Sequence, residues 1–298
     1  MKSDKAKSIV IIVVFTVVLF AAGIIVQKAL GRLSHEHNAY TWVTTTSPLD
    51  RNVTRALYTD AEPYRDGELV YSSYGEIDFD ELKEINSDII GWLTVGDVFD
   101  KWHNIDHPVL QSYNNTYYQS HNANGDESVL GALYADCTNR FENGEYSDNT
   151  IIYGCNPEGY GGGDYMFYPL ERYLKGYGDD DAAAYYAKYP TVTFETPYEK
   201  SEWEIFAVSE LNITPGMGDI IPYEVTSFDN EFAFNRYVFT IQDKSVISPD
   251  IDVKYGDKLL TLVTPYYPLG YHNRDTRESR LVVTARKISD EDTTKIAE

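Results

Sequence analysis

The sequence predicts a mainly β fold, a closed barrel or sandwich of eight short strands behind one N-terminal transmembrane helix. Three observations predict it. Short β-rich runs recur between Gly, Asn, Asp and Pro punctuation across residues 91–286, the pattern of a barrel or sandwich rather than of helical repeats. Residues 8–27 carry no charge and are almost wholly apolar. The chain is 43% hydrophobic and 24% charged, with 26 Tyr, a composition that excludes disorder, because disordered chains are poor in aromatics.

The N-terminal span reads SIVIIVVFTVVLFAAGIIVQ. At about 1.5 Å per residue a helix of this length crosses the hydrocarbon core of a bilayer. Ala21-Ala22-Gly23 offers a small-residue cleavage site, but Ile24-Ile25-Val26 continues the apolar run, so the span is read as an uncleaved anchor. Lys2, Lys5 and Lys7 precede it, opposed by Asp4 alone. That bias places residues 1–7 in the cytoplasm and the rest of the chain outside. Residues 28–75 mix Ser, Thr, Asn, Tyr and charge without periodicity and read as a juxtamembrane stalk. Residues 76–298 form the folded domain.

That domain opens on a short helix, with Leu82, Ile85 and Ile89 at helical spacing. The eight strands follow as Gly91–Val95, Val109–Gln111, Gly131–Tyr134, Thr150–Tyr153, Thr191–Thr196, Trp203–Glu210, Lys258–Val263 and Arg280–Arg286. Two helices interrupt them. Tyr165–Tyr173 follows a Gly-rich loop. Asn230–Gln242 carries Phe234, Val238 and Ile241 on one face, with Ser227 or Asp229 as N-cap. No internal repeat is present.

The formal net charge is −22, which argues against binding nucleic acid and against a surface attracted to anionic lipid. Two cysteines exclude a disulfide-built scaffold. The six histidines form no HExxH or other ligand pattern, and no metal or cofactor is expected. Gly159–Gly163 lacks the spacing and the Lys-Ser/Thr of a phosphate loop. Asp179-Asp180-Asp181 reads as solvated loop.

Eight segments, in order, resemble class B sortases. Asn86-Ser-Asp-Ile-Ile-Gly-Trp92-Leu93 resembles the family's NxDxVGWI opening, and Ile105-Asp-His-Pro-Val-Leu-Gln111 its IDYPVVQ segment. Asn115-Thr-Tyr-Tyr118 and Gly131-Ala-Leu-Tyr-Ala-Asp136 are similar to DNxYYL and GxIFLD. Ile151-Ile-Tyr-Gly-Cys-Asn156 resembles VIYGHN, and Gly163-Asp-Tyr-Met-Phe-Tyr-Pro-Leu170 continues as GxMFxxL. Leu260-Thr-Leu-Val-Thr-Pro265 stands where the family has TLxTC, and Arg280-Leu-Val-Val283 stands for RxVV. The resemblance covers roughly residues 77–288. It implies a closed eight-stranded sortase-type barrel with N-terminal helices and a helix before the seventh strand. The anchor and the 230–242 helix fit the same family.

Sortases are extracytoplasmic cysteine transpeptidases of Gram-positive bacteria. The resemblance implies three chemical parts: a Cys thiolate as nucleophile, a His as proton donor, and an Arg that stabilises substrate or oxyanion. In this sequence the His position is Cys155, the Cys position is Pro265, and only the Arg position is retained, as Arg280. Pro265 supplies neither thiol nor N–H. Loss of a nucleophile removes about 10⁴–10⁶ in rate, by analogy with serine-protease knockouts. The resemblance therefore implies a degenerate sortase that binds a sorting-signal peptide, a surface-protein assembly or a complete sortase without transpeptidation. The alternative is a rewired cysteine enzyme with Cys155 as nucleophile and His272 as base. A Cys137–Cys155 disulfide would abolish that alternative.

Overall fold

The computed structural model describes residues 77–96, 105–142, 145–156, 166–176, 178, 180–216, 218–267 and 278–289. The expected transmembrane span at 8–27, the expected stalk at 28–75, the Gly-rich loop at 159–163 and His272 all lie outside the described residues. Among the described residues, no helix is long and apolar enough to cross a membrane.

Among the described residues there are ten strands: β1 (Ile89–Val95), β2 (Ile105–Leu110), β3 (Leu133–Ala135), β4 (Phe141–Glu142), β5 (Glu145–Tyr146), β6 (Asn149–Tyr153), β7 (Thr191–Glu195), β8 (Lys200–Asn212), β9 (Leu259–Tyr266) and β10 (Ser279–Lys287). Eight close into a barrel in the order β1-β2-β3-β6-β9-β10-β8-β7, and β7 returns to β1. These are the eight strands expected from the sequence. The pair β4–β5 is a separate small hairpin that no expected run contained. All pairings in the barrel are antiparallel except β2–β3 and β6–β9.

The strands are legible because most are covered on both faces. Trp203, Phe194, Ile205 and Leu93 are almost fully buried. On another side, Ile151, Phe206, Leu259, Val263 and Val282 pack against the helix α4 (Glu231–Asp243). That helix inserts Phe234, Tyr237, Val238 and Ile241. Each such side chain contributes roughly 1.5–3 kcal/mol of transfer free energy when fully buried. α4 precedes β9, the seventh barrel strand, as expected.

The other α-helices among the described residues are α1 (Phe79–Ile85), α2 (Arg172–Lys175) and α3 (Ala182–Lys188). Several boundaries differ from the sequence reading. Ile89 belongs to β1 rather than to α1, which ends at Ile85 before Asn86. β2 starts at Ile105, four residues early, because Asp106 is held within the sheet by the Trp92 Nε1 donor at 2.6 Å. The expected helix at 165–173 is a 3₁₀ turn over Tyr168–Glu171 that continues into α2. The α4 cap is Asn230, whose side chain accepts from the Ala233 N–H at 3.0 Å, in place of Ser227 or Asp229. The acidic run is not merely solvated loop: Asp181 caps α3 by accepting from the Ala184 N–H at 2.9 Å, and Asp180 pairs with Lys188.

Candidate functional site

A cleft of about 340 Å³ opens where β6, β9 and β10 end. The β6–β9 ladder is parallel and last pairs Tyr153 with Val263. Two residues further along both chains stand Cys155 and Pro265, and the antiparallel β9–β10 ladder sets Pro265 opposite Arg280. Side chains on a strand alternate between faces. Val263 and Pro265 therefore share a face of β9, and Tyr153 and Cys155 line the same cleft with them and Arg280. The three positions that the resemblance singles out thus meet in one place. β6 ends at Tyr153, so by residue 265 β9 has only β10 as a ladder partner. Pro is tolerated at such an edge-like position.

The strand ends are fixed by specific contacts. Gly154 lies between the cleft-facing residues, and a Cβ there would stand 2.5 Å from Leu133 Cδ2 and 2.6 Å from Phe167 Cδ2. Only glycine lets the chain pass so close. The Gly154 N–H donates to the Val263 carbonyl at 3.1 Å, and the Phe167 N–H donates to the Cys155 carbonyl at 3.1 Å. The Asn156 amide donates to the Pro265 carbonyl at 3.0 Å and to Glu171 Oε1 at 2.6 Å. Lys175 pairs with the other Glu171 oxygen at 2.5 Å.

Tyrosines build the walls. Tyr153 donates to Asp136 Oδ2 at 3.0 Å, and Asn115 donates to the same oxygen at 2.7 Å. Burial pushes the Asp136 carboxyl upward, but hydrogen bonds from Thr138, Tyr153 and Asn115 outweigh it and hold the group below the usual carboxylate range. Asp136 thereby orients two lining side chains while staying ionised. The segment carrying Tyr223 and Glu224 is tied to β6 through buried Asn149. That side chain donates to the Val225 carbonyl at 2.8 Å and accepts from Thr261 Oγ1 at 2.8 Å, while the Asn149 N–H donates to the Thr226 carbonyl at 3.1 Å.

The electrostatics do not favour a reactive thiol. Burial alone pushes the Cys155 thiol up to about 11. A nucleophilic cysteine needs a nearby cation or helix N-terminus to lower that value. Cys137 and Cys155 are both free thiols, partly exposed. Arg280 donates to its neighbour's Ser279 carbonyl at 3.1 Å. Burial raises the Tyr223 hydroxyl, with the Glu224 carboxylate adding to the rise and the Arg280 guanidinium opposing it. Among the described residues, no group of His, Cys, Asp and Glu is placed to hold a metal ion.

Sequence reasoning missed Glu224 and Tyr223 as parts of this site. Tyr153, Gly154 and Asn156 lay inside a quoted segment, so their neighbourhood was marked. Glu224 lies outside regular structure between β8 and α4, and one more acid in so acidic a chain gives no signal.

No family model matches the chain. It is 32% identical over 210 residues to sortase B of Listeria monocytogenes, covering 70% of this chain and 73% of that protein. The substrate complex of Staphylococcus aureus sortase B superposes with a TM-score of 0.57 at 26% identity, covering 71% of this chain and 85% of that one. Sortase B of Clostridium perfringens superposes with a TM-score of 0.57 at 27% identity, covering 71% of this chain and all (100%) of that one. Nearly a third of the residues shared over most of both sequences, together with a barrel of the same topology class, lead to one conclusion: the chain belongs to the class B sortase family.

Proposed function

We propose that this chain is a membrane-anchored, extracytoplasmic class B sortase-like protein of a Gram-positive cell envelope, holding a sorting-signal peptide or assembly partner without transpeptidation. One observation carries the reading: Pro265, which has neither thiol nor N–H, stands opposite Arg280 in the cleft where the resemblance places the nucleophile. The Cys155 thiol supports it, because burial pushes it up to about 11 and makes it a poor substitute nucleophile. The Staphylococcus aureus structure is a substrate complex, and the cleft here keeps open walls and Arg280. The uncharged span at 8–27 supports the anchor.

The test of inactivity uses the full chain in detergent with the fluorescently labelled substrate of the Staphylococcus aureus complex. Saturable binding without cleavage above buffer is expected, with binding weakened in Arg280→Ala. A Cys155-dependent acyl-enzyme seen by mass spectrometry would restore the rewired enzyme. The location has its own test. Protease added to intact protoplasts is expected to degrade the domain, and a domain protected until lysis refutes the topology.

A further inference from the structure

We propose that Glu224 makes this cleft selective for a peptide segment bearing a basic side chain. The inference rests on reading the cleft as a peptide-binding site and names the chemistry of what it holds. Arg280 and Glu224 are the two charged side chains among the described residues lining the cleft. Neither is in an ion pair among the described residues. The Glu224 charge reaches into the cleft, since after burial it is among the causes that raise the hydroxyls of Tyr134, Tyr153 and Tyr223. Those three tyrosines stay neutral at pH 7 and line the cleft together with the carboxylate. A Lys or Arg side chain would find there both an anion and π surfaces, each attractive to a cation.

Arg280 fixes the direction. It repels a basic group and offers donors to a carbonyl oxygen. A bound peptide therefore has a backbone carbonyl at Arg280 and its cation toward Glu224. The net charge of −22 adds long-range attraction for a cationic ligand, and salt screens that attraction. An acidic or phosphorylated segment meets the opposite on every count.

The experiment uses the full chain in detergent and fluorescein-labelled hexapeptide pools, each fixed at one position as Lys, norleucine or Glu. Fluorescence polarisation is read at low and high salt. The Lys pool is expected to bind about fivefold more tightly than norleucine, the scale of one partly exposed ion pair, and Glu more weakly than either. Glu224→Gln is expected to erase the preference for Lys over norleucine, and Glu224→Lys to reverse it. Thermal melts of both variants check that the fold is intact. Lys and norleucine binding equally to the parent chain, or a preference that survives Glu224→Gln, overturns the selectivity while leaving the peptide-binding reading standing. If no pool binds, and the substrate of the Staphylococcus aureus complex does not bind either, that reading falls and the selectivity with it.

Discussion

The double variant Pro265→Cys/Cys155→His is expected to cleave sorting-signal peptide, while each single variant remains at background. The β6–β9 ladder last pairs Tyr153 with Val263, beyond it the Asn156 amide holds the Pro265 carbonyl at 3.0 Å, so residues 155 and 265 line one cleft, and Arg280 faces residue 265 across β9–β10. A thiol at 265 and an imidazole at 155 would therefore share that cleft, beside a guanidinium. Pro265→Cys alone creates a nucleophile with no proton donor beside it. It also places two thiols in one cleft, so it is assayed with reductant. Cys155→His alone supplies an acid with nothing to serve. Groups that act as a unit are non-additive, and a positioned acid–base typically contributes about 10²–10⁴ in rate. The double variant should therefore exceed Pro265→Cys by about a hundredfold in peptide release followed by fluorescence. Equal rates for the two would show that another residue, His272 foremost, supplies the proton.

The ease of reading the strands and the difficulty of reading the site have one physical origin. A strand buried on both faces reads as an apolar run, as in the middle of β6, β9 and β10, while β8 alternates over Lys200–Ile205 before its buried run Ile205–Ser209. Such runs announce themselves without any tertiary knowledge. Polar residues inside the fold misled in both directions. Asp106 and His107 made the start of β2 look like loop, although His107 is only 4% exposed and Asp106 is held by Trp92. Asp181 looked like solvated charge, although it caps a helix. Each of these residues has a role fixed by a partner that the local sequence does not reveal. Cys155, Pro265 and Arg280 were singled out only through ordered resemblance over two hundred residues, since nothing local distinguishes a Pro at a strand end. Glu224 had no such frame. Its place in the cleft depends on Asn149, 75 positions earlier in the chain, holding the Val225 and Thr226 carbonyls.

Gly131→Val is expected to destabilise the domain by about 3–4 kcal/mol and to lower its melting temperature by about 10 °C, two independent costs adding at one residue. The first is conformational. Gly131 has φ of +63°, a left-handed backbone that costs a residue with a Cβ about 1–2 kcal/mol, and more where the side chain is β-branched. The second is steric. A Cβ at this position would lie 2.1 Å from the Tyr118 carbonyl oxygen and 2.9 Å from two Gln119 backbone atoms. These are backbone atoms and cannot rotate aside. The same Tyr118 carbonyl accepts from the Ala132 N–H at 2.9 Å, so moving it breaks the bond that holds the Leu130–Ala132 turn against the Tyr117–Gln119 turn. Leu130, Ala132, Tyr118 and Gln119 all line the cleft. Loss of stability is thus coupled to loss of the cleft wall, and peptide binding should weaken at temperatures where the domain is still folded. Gly216 provides the control. Its φ is +81° but nothing lies within 4 Å of an added Cβ, so Gly216→Ala bears the conformational cost alone, about 1 kcal/mol. Differential scanning fluorimetry of the two variants separates the terms. Equal shifts would mean that the close approach at Tyr118 contributes nothing, and the packing of this wall would need to be reconsidered.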